Sequence, residues 1–135
     1  MNALLHVLTF VFCLSVAVAP AFCQTAVHGN QDLRLSTSQT EEFEQMALAG
    51  DGQAAHKLYQ HYALTQQNHE IGEYWLTVSA ENGFLIGQYK LAIILSKSES
   101  QRDQKRAVFW VRKAVEGGYQ PAQKFLDELS LKPVK

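Results

Sequence analysis

Apolar residues recur at intervals of three and four from residue 40 to residue 130, which places them on one face of an α-helix. No stretch shows the alternation and β-branched enrichment of a strand, and no proline lies between Pro20 and Pro121. The pattern predicts six helices, at about 40–49, 52–65, 69–81, 84–97, 102–116 and 119–130. Thr40, which precedes the acidic stretch EEFE, is the predicted cap of the first helix.

The helical pattern also repeats along the chain. The segment WLTVSAENG (75–83) returns 35 residues later as WVRKAVEGG (110–118), and Phe43 is predicted to take the place of the tryptophan in a truncated first copy. Three sets of residues share the spacing 3, 4, 4, and they are Ala47, Gly50, Ala54, Leu58, then Ala80, Gly83, Gly87, Leu91, and then Val115, Gly118, Ala122, Leu126. Such self-similarity is typical of stacked helical repeats.

The residue types at these positions have physical reasons. Glycine at 50, 83 and 118 can end a helix in a left-handed conformation at no steric cost. Small residues at 54, 87 and 122 let helices approach closely, and leucines at 58, 91 and 126 fill the space one turn further on. Trp75 and Trp110 are expected to bury large areas against the neighbouring unit. We therefore predict an all-α solenoid whose repetition creates its core.

At these residues the chain resembles the Sel1-like repeat, a relative of the tetratricopeptide repeat. The segment ALAGDGQAAHKLYQHY (47–62) carries Ala47, Gly50, Ala54, Leu58 and Tyr62 of that motif, and KRAVFWVRKAVEGG (105–118) carries Ala107, Trp110, Ala114 and Gly118. The resemblance spans roughly residues 40 to 130. It departs at Tyr59, Ala92 and Asp127, where the family has glycine, and in the connections TQQNH and SKSESQRD.

The resemblance implies a short right-handed α/α solenoid of about six helices. It also implies a non-catalytic scaffold or adaptor that binds another protein, with the first helix of each family repeat lining a concave face.

The N-terminal segment carries a separate signal. Residues 4 to 22 are apolar almost without interruption and end in small residues, as in a secretory signal peptide cleaved after Ala21 or Cys23. An uncleaved membrane anchor is the alternative, and a lipid-anchored Cys23 is disfavoured by the preceding Phe22. The predicted organisation is a signal peptide at 1–23, a flexible linker at 24–39, a repeat domain at 40–130 and a tail at 131–135. The protein is expected to be periplasmic or secreted.

Charge is distributed unevenly along the chain. Residues 24–81 contain two basic and eight acidic residues, a balance of −6, whereas residues 82–135 contain ten basic and five acidic residues, a balance of +5. This polarity could steer a charged partner or let copies of the chain associate. The near-neutral total gives no support to nucleic-acid binding.

No motif for catalysis, metal binding or a cofactor is present. His56, His61 and His69 lack the i, i+4 spacing of a helical metal site, and the phosphate-binding and nucleophile motifs are missing. We therefore predict no cofactor, no metal and no enzymatic activity. An enzyme acting on cell-wall material, using His56, His61, Glu70 and Glu73, is a competing hypothesis.

Helical phase indicates a candidate contact surface. Ala54, Leu58, Tyr62 and Thr65 share the predicted buried stripe, so the residues between them project elsewhere. The candidate partner-binding residues are Gln53, His56, Lys57, Gln60, Tyr89, Lys90 and Ile93.

Three functions compete for such a domain. The first is an exported adaptor, and a specific version of it is a periplasmic immunity protein that inhibits a toxic effector enzyme. The second is the cell-wall enzyme. The third is a self-assembling structural protein whose acidic half binds the basic half of the next copy, with an association that weakens as salt rises.

Overall fold

A computed structural model describes residues 33–131, and these form an all-α fold without a strand. Its helices are α1 (Thr37–Leu48), α2 (Gly52–Tyr59), α3 (His69–Glu81), α4 (Leu85–Ser96), α5 (Gln101–Glu116) and α6 (Gln120–Leu131). Each helix packs against its neighbours in chain order. The predicted signal peptide, the predicted linker up to residue 32 and the predicted tail from residue 132 lie outside the described residues.

The start of α1 differs from the prediction. Ser36, and not Thr40, caps the helix: its hydroxyl accepts a hydrogen bond from the Gln39 N–H, and the Gln39 side chain accepts one from the Ser36 N–H. This reciprocal pair satisfies two backbone donors, so helix formation is favourable three residues upstream of Thr40. Residues 37–39, assigned to the flexible linker by sequence, are therefore helical.

The predicted helix at 52–65 changes type along its length. After Tyr59 the chain continues as a π-helical segment, Gln60–Thr65, which we call the π segment. The His61 carbonyl accepts hydrogen bonds from the Gln66 N–H at 3.2 Å and from the Thr65 hydroxyl at 2.6 Å. Ala63, in this wider turn, packs closely against Gly72 of α3. A Cβ atom added to Gly72 would lie only 2.6 Å from the Ala63 Cβ.

The connections that end α1, α3 and α5 share one backbone conformation. Gly50, Gly83 and Gly118 have φ values of +105°, +81° and +88°, with open space around each. Only glycine adopts this left-handed region without strain. The regular spacing of the three glycines therefore places the same turn at three points in the chain.

The core also repeats. Trp75 on α3 packs in a cluster with Ala47, Ala54 and Leu58, which belong to α1 and α2. Trp110 on α5 packs against a cluster formed by α3 and α4, whose buried members are Leu76, Ala80 and Leu91. Ala47 and Leu58 occupy the same repeat positions as Ala80 and Leu91, so the two successive junctions are built alike. A third cluster joins Ala92, Val111, Ala114 and Ala122, with Leu126 packed against it.

Phe43 does not occupy the tryptophan position that we predicted for it. It lies four residues before Ala47, as Leu76 lies four before Ala80 and Val111 four before Val115. Leu76 and Val111 are fully buried, and Phe43 packs against the first cluster. Phe43 is therefore the counterpart of these aliphatic residues.

Candidate interaction surfaces

The predicted contact residues on α2, the π segment and α4 do not share one environment. Gln53 is exposed, and Lys57, Gln60, Lys90 and Ile93 are half-buried. His56 and Tyr89, discussed below, are engaged by other rings of the fold. We call the accessible group, Gln53, Lys57, Gln60, Lys90 and Ile93 together with Tyr59, the α2–α4 face.

His56 is a correction to the predicted surface, because its side chain is only 8% exposed. Its ring lies between those of Tyr59 and Phe84, at centroid distances of 5.7 Å and 5.2 Å. Burial, with smaller contributions from the charges of Lys90 and Lys57, lowers the pKa of His56 to about 4. Its Nε2 has no hydrogen-bond partner among residues 33–131. His56 is thus a neutral packing residue at pH 7.

Tyr89 plays the same packing role one repeat later. Its ring lies 5.3 Å from the ring of Tyr119 and 5.9 Å from that of Phe125. Tyr89 and Tyr119 follow His56 and Phe84 by 33 and 35 residues, and the two ring pairs have interplanar angles of 54° and 51°. The signal that sequence reasoning missed is the aromatic residue directly after a helix-ending glycine, at Gly83–Phe84 and Gly118–Tyr119.

Two lysines make the α2–α4 face cationic. The Lys90 ammonium lies 5.4 Å from the centroid of the Tyr59 ring, a cation–π contact, and burial lowers the pKa of Lys90. Burial and, to a smaller extent, Glu73 raise the pKa of Tyr59. Neither Lys57 nor Lys90 forms an ion pair with a carboxylate of residues 33–131. The face therefore presents two lysines that form no ion pair within residues 33–131, one of them over an aromatic ring.

A second surface, missed by the sequence analysis, lies on α3 and α5. Tyr74 is 55% exposed and Phe109 is 51% exposed. Each ring meets the tryptophan that follows it edge-on, at 5.0 Å for Tyr74–Trp75 and 4.9 Å for Phe109–Trp110. Because each tryptophan packs inward, the preceding ring faces solvent. The signal was the aromatic doublet itself, in which two adjacent helical residues cannot both face the core.

A polar cleft of about 300 Å³ lies between the start of α1 and the π segment. At its wall, His61 Nδ1 accepts a hydrogen bond from the Leu35 N–H at 3.0 Å, and His61 Nε2 lies 2.8 Å from the Gln66 side-chain amide. The Tyr62 hydroxyl donates to Glu44 at 3.2 Å. The Leu35 N–H thus occupies Nδ1 of His61, and the Gln66 side chain lies against Nε2. The His61 imidazole therefore links the chain entering α1 to the π segment.

The residues of the enzyme hypothesis lie in different environments. His56 is enclosed by rings and His61 is engaged in the cleft, while Glu70 and Glu73 are exposed on α3. Within residues 33–131, no three His, Cys, Asp or Glu side chains are arranged to hold a metal ion. None of the described helices combines the length and apolar character needed to cross a membrane.

The chain is similar in sequence to the uncharacterized protein YibG of Escherichia coli K12. The two are 28% identical over 112 residues, covering 74% of this chain and 73% of that relative. No protein-family model and no solved structure matches the chain. The candidate functional features are therefore the α2–α4 face and the exposed rings of α3 and α5.

Proposed function

We propose that this protein is an exported, non-catalytic interaction module of the Sel1-like type, and that its α2–α4 face binds another protein. The observation that carries the proposal is the pair of lysines, Lys57 and Lys90, which have no ion pair with residues 33–131 although both are half-buried. A partly buried charge without a counter-ion costs free energy that a partner's carboxylate can offset. The partner surface proposed here is therefore acidic.

The repeated architecture supports the Sel1-like part of the proposal. Two successive helix junctions use equivalent residues, including Trp75 and Trp110, and the same left-handed glycine turn occurs three times. Packing between neighbours in chain order is what a short right-handed α/α solenoid requires. Export is proposed from the apolar segment at residues 4 to 22 and its small-residue end. Cell fractionation with an antibody to residues 33–131 tests that part separately.

Capture of the partner from the host envelope tests the binding proposal. The tagged full-length gene is expressed in the native host, and co-purifying proteins are identified for wild type and for the double variant Lys57→Glu with Lys90→Glu. We expect one stoichiometric partner that is lost from the double variant, because the reversed charges repel its carboxylates. If that partner is an enzyme whose activity falls on binding, the module is an immunity protein or inhibitor.

The matched control reverses two cations elsewhere. Lys97→Glu with Arg102→Glu makes the same change in net charge in the exposed connection around the start of α5. Capture should survive in this control. Equal loss in both double variants would mean that only net charge matters, and undiminished capture by the α2–α4 variant would disprove the assigned face.

A further inference from the structure

The exposed stripes of α3 and α5 are related by the 35-residue repeat. On α3 the stripe runs through Glu70, Tyr74, the half-buried Thr77 and Glu81, and on α5 the equivalent residues are Lys105, Phe109, Arg112 and Glu116. Tyr74 and Phe109 both face solvent, and neither Glu70 nor Lys105 forms an ion pair with any residue of the described range 33–131. Equivalent positions thus carry matched aromatic rings and opposite charges.

This pattern makes the surface complementary to itself. A two-fold axis running along the helices, between α3 and α5, places α3 of one copy against α5 of the other. Equivalent residues then meet at the same height, so Glu70 faces Lys105 of the second copy and Tyr74 faces Phe109. The symmetry repeats each contact, which gives two charge pairs and two ring pairs.

The two-fold arrangement also brings together the acidic ends of the two stripes. Glu81 faces the position of Glu116, a like charge that would oppose association. Glu116, however, is already paired with Lys113 at 3.1 Å within its own chain. Glu81 therefore meets a neutralised pair, with the Arg112 guanidinium one helical turn away from Glu116.

We infer that the α3–α5 face, defined by Glu70, Tyr74, Lys105 and Phe109, binds a second copy of this chain in a closed, face-to-face dimer. The inference is independent of the proposed function, because it uses different helices and different residues. It also differs from an open stack of acidic half on basic half, since the two-fold contact uses up both halves of the surface and stops at two copies.

A charge swap tests this geometry. The protein is purified in the form its host accumulates, as wild type and as the variants Glu70→Lys, Lys105→Glu and the combination of both. Association is measured by sedimentation velocity over a range of concentrations. Each single variant should dimerise about tenfold more weakly, because both symmetry-related attractions become repulsions. The combined variant should regain the wild-type association constant, since it exchanges the two charges.

Mixing the two single variants gives the sharper result. A copy with Glu70→Lys presents two cations and a copy with Lys105→Glu presents two anions, so a one-to-one mixture should form heterodimers although neither variant dimerises well alone. Tyr74→Ala should weaken every dimer by about tenfold or more, because an exposed aromatic anchor is lost twice. Lys124→Glu on α6 is the control, and its dimer should match wild type.

Several outcomes would overturn the inference. They are a wild-type chain that stays monomeric at all concentrations, species that keep growing beyond the dimer, or single charge variants that associate as wild type does. A monomeric chain that loses a different protein when Glu70 is reversed would assign the α3–α5 face to that protein instead.

Discussion

At the scale of the residue, His56 shows how position in the repeat outweighs side-chain polarity. Its site is formed by Tyr59 and by Phe84, the aromatic residue after a helix-ending glycine, and the next repeat fills the equivalent site with Tyr89. An imidazole in an aromatic site cannot keep its hydration, so burial disfavours the charged form.

This burial predicts a pH-dependent stability. The pKa of His56 is about 4 in the folded chain and 6.5 without perturbation, so between these values the unfolded chain binds a proton that the folded chain excludes. The contribution of His56 is complete above pH 6.5 and is lost as the pH falls toward 4. The free energy of unfolding should therefore decrease by about 1–2 kcal/mol more between pH 7 and pH 5 in wild type than in His56→Tyr.

Urea titrations followed by tryptophan fluorescence measure this difference. Tyrosine is the matched replacement, because Tyr89 fills the equivalent site in the next repeat. All other titrating groups are common to both proteins and cancel in the comparison. Parallel pH profiles for wild type and His56→Tyr would show that the imidazole titrates normally in the fold.

At the scale of the element, one small residue holds three helices together. Ser79 on α3 is fully buried, and its hydroxyl donates a 2.7 Å hydrogen bond to the Gly52 carbonyl at the start of α2. On its other side lies Gly87 of α4, where a Cβ would overlap the Ser79 hydroxyl and lie 3.0 Å from the Ser79 Cβ. Nearby, the Asn82 amide donates to the Ala47 carbonyl at 2.8 Å and ties α3 to α1.

Gly87→Ala should therefore destabilise the fold by roughly 1–3 kcal/mol through overpacking. Ser79→Ala should cost about 0.5–1.5 kcal/mol through the lost hydrogen bond. The double variant should cost less than the sum, because removing the hydroxyl also removes the closest overlap. Urea unfolding of the four proteins measures this coupling.

Gly50→Ala provides the contrast for this cycle. Gly50 has a φ of +105° and open space around it, so alanine there introduces backbone strain and no overlap. Its cost should add to that of Ser79→Ala without coupling. Equal coupling at both glycines would contradict the three-helix contact at Ser79.

At the scale of the whole molecule, the two candidate faces use different helices and carry different chemistry. The α2–α4 face offers two lysines without an ion pair in the described range 33–131, whereas the α3–α5 face offers matched rings and opposite charges. We therefore expect the variants to act separately. Reversal of Lys57 and Lys90 should leave the dimerisation constant unchanged, and Glu70→Lys should leave partner capture unchanged. Loss of both readouts in either variant would indicate one continuous interface.

Much of the fold could be predicted from sequence because helical repeats are local. The boundaries of α3 were predicted to the residue, and those of α4, α5 and α6 within one residue, since each helix carries its own apolar period and its own end signal. The start of α1 was misplaced because two hydroxyl residues, Ser36 and Thr40, compete as caps, and the choice depends on the Gln39 side chain. The π segment was not predicted, because an apolar period of three and four residues does not distinguish an i→i+5 backbone hydrogen bond, such as that from the Gln66 N–H to the His61 carbonyl, from the i→i+4 bonds of an α-helix.

The candidate surfaces were harder to predict, since exposure depends on what packs from the next repeat. Helical phase alone placed His56 and Tyr89 outside the buried stripe of their own helices. In the fold, Phe84 and Tyr119, which follow the glycine turns at Gly83 and Gly118, pack against these two rings. Conversely, Tyr74 and Phe109 remain 55% and 51% exposed among residues 33–131, although both are large and apolar.

The amino-acid sequence by itself determined the all-α class, the repeat and the left-handed glycine turns, because these depend on spacing within one or two helices. It also carries the polarity of charge along the chain. Only the tertiary structure decided which polar residue is buried, which aromatic rings face solvent and which lysines form no ion pair with the part of the chain that the structure describes. Those properties arise where one repeat meets the next, and such contacts depend on the relative placement of helices that no local pattern specifies.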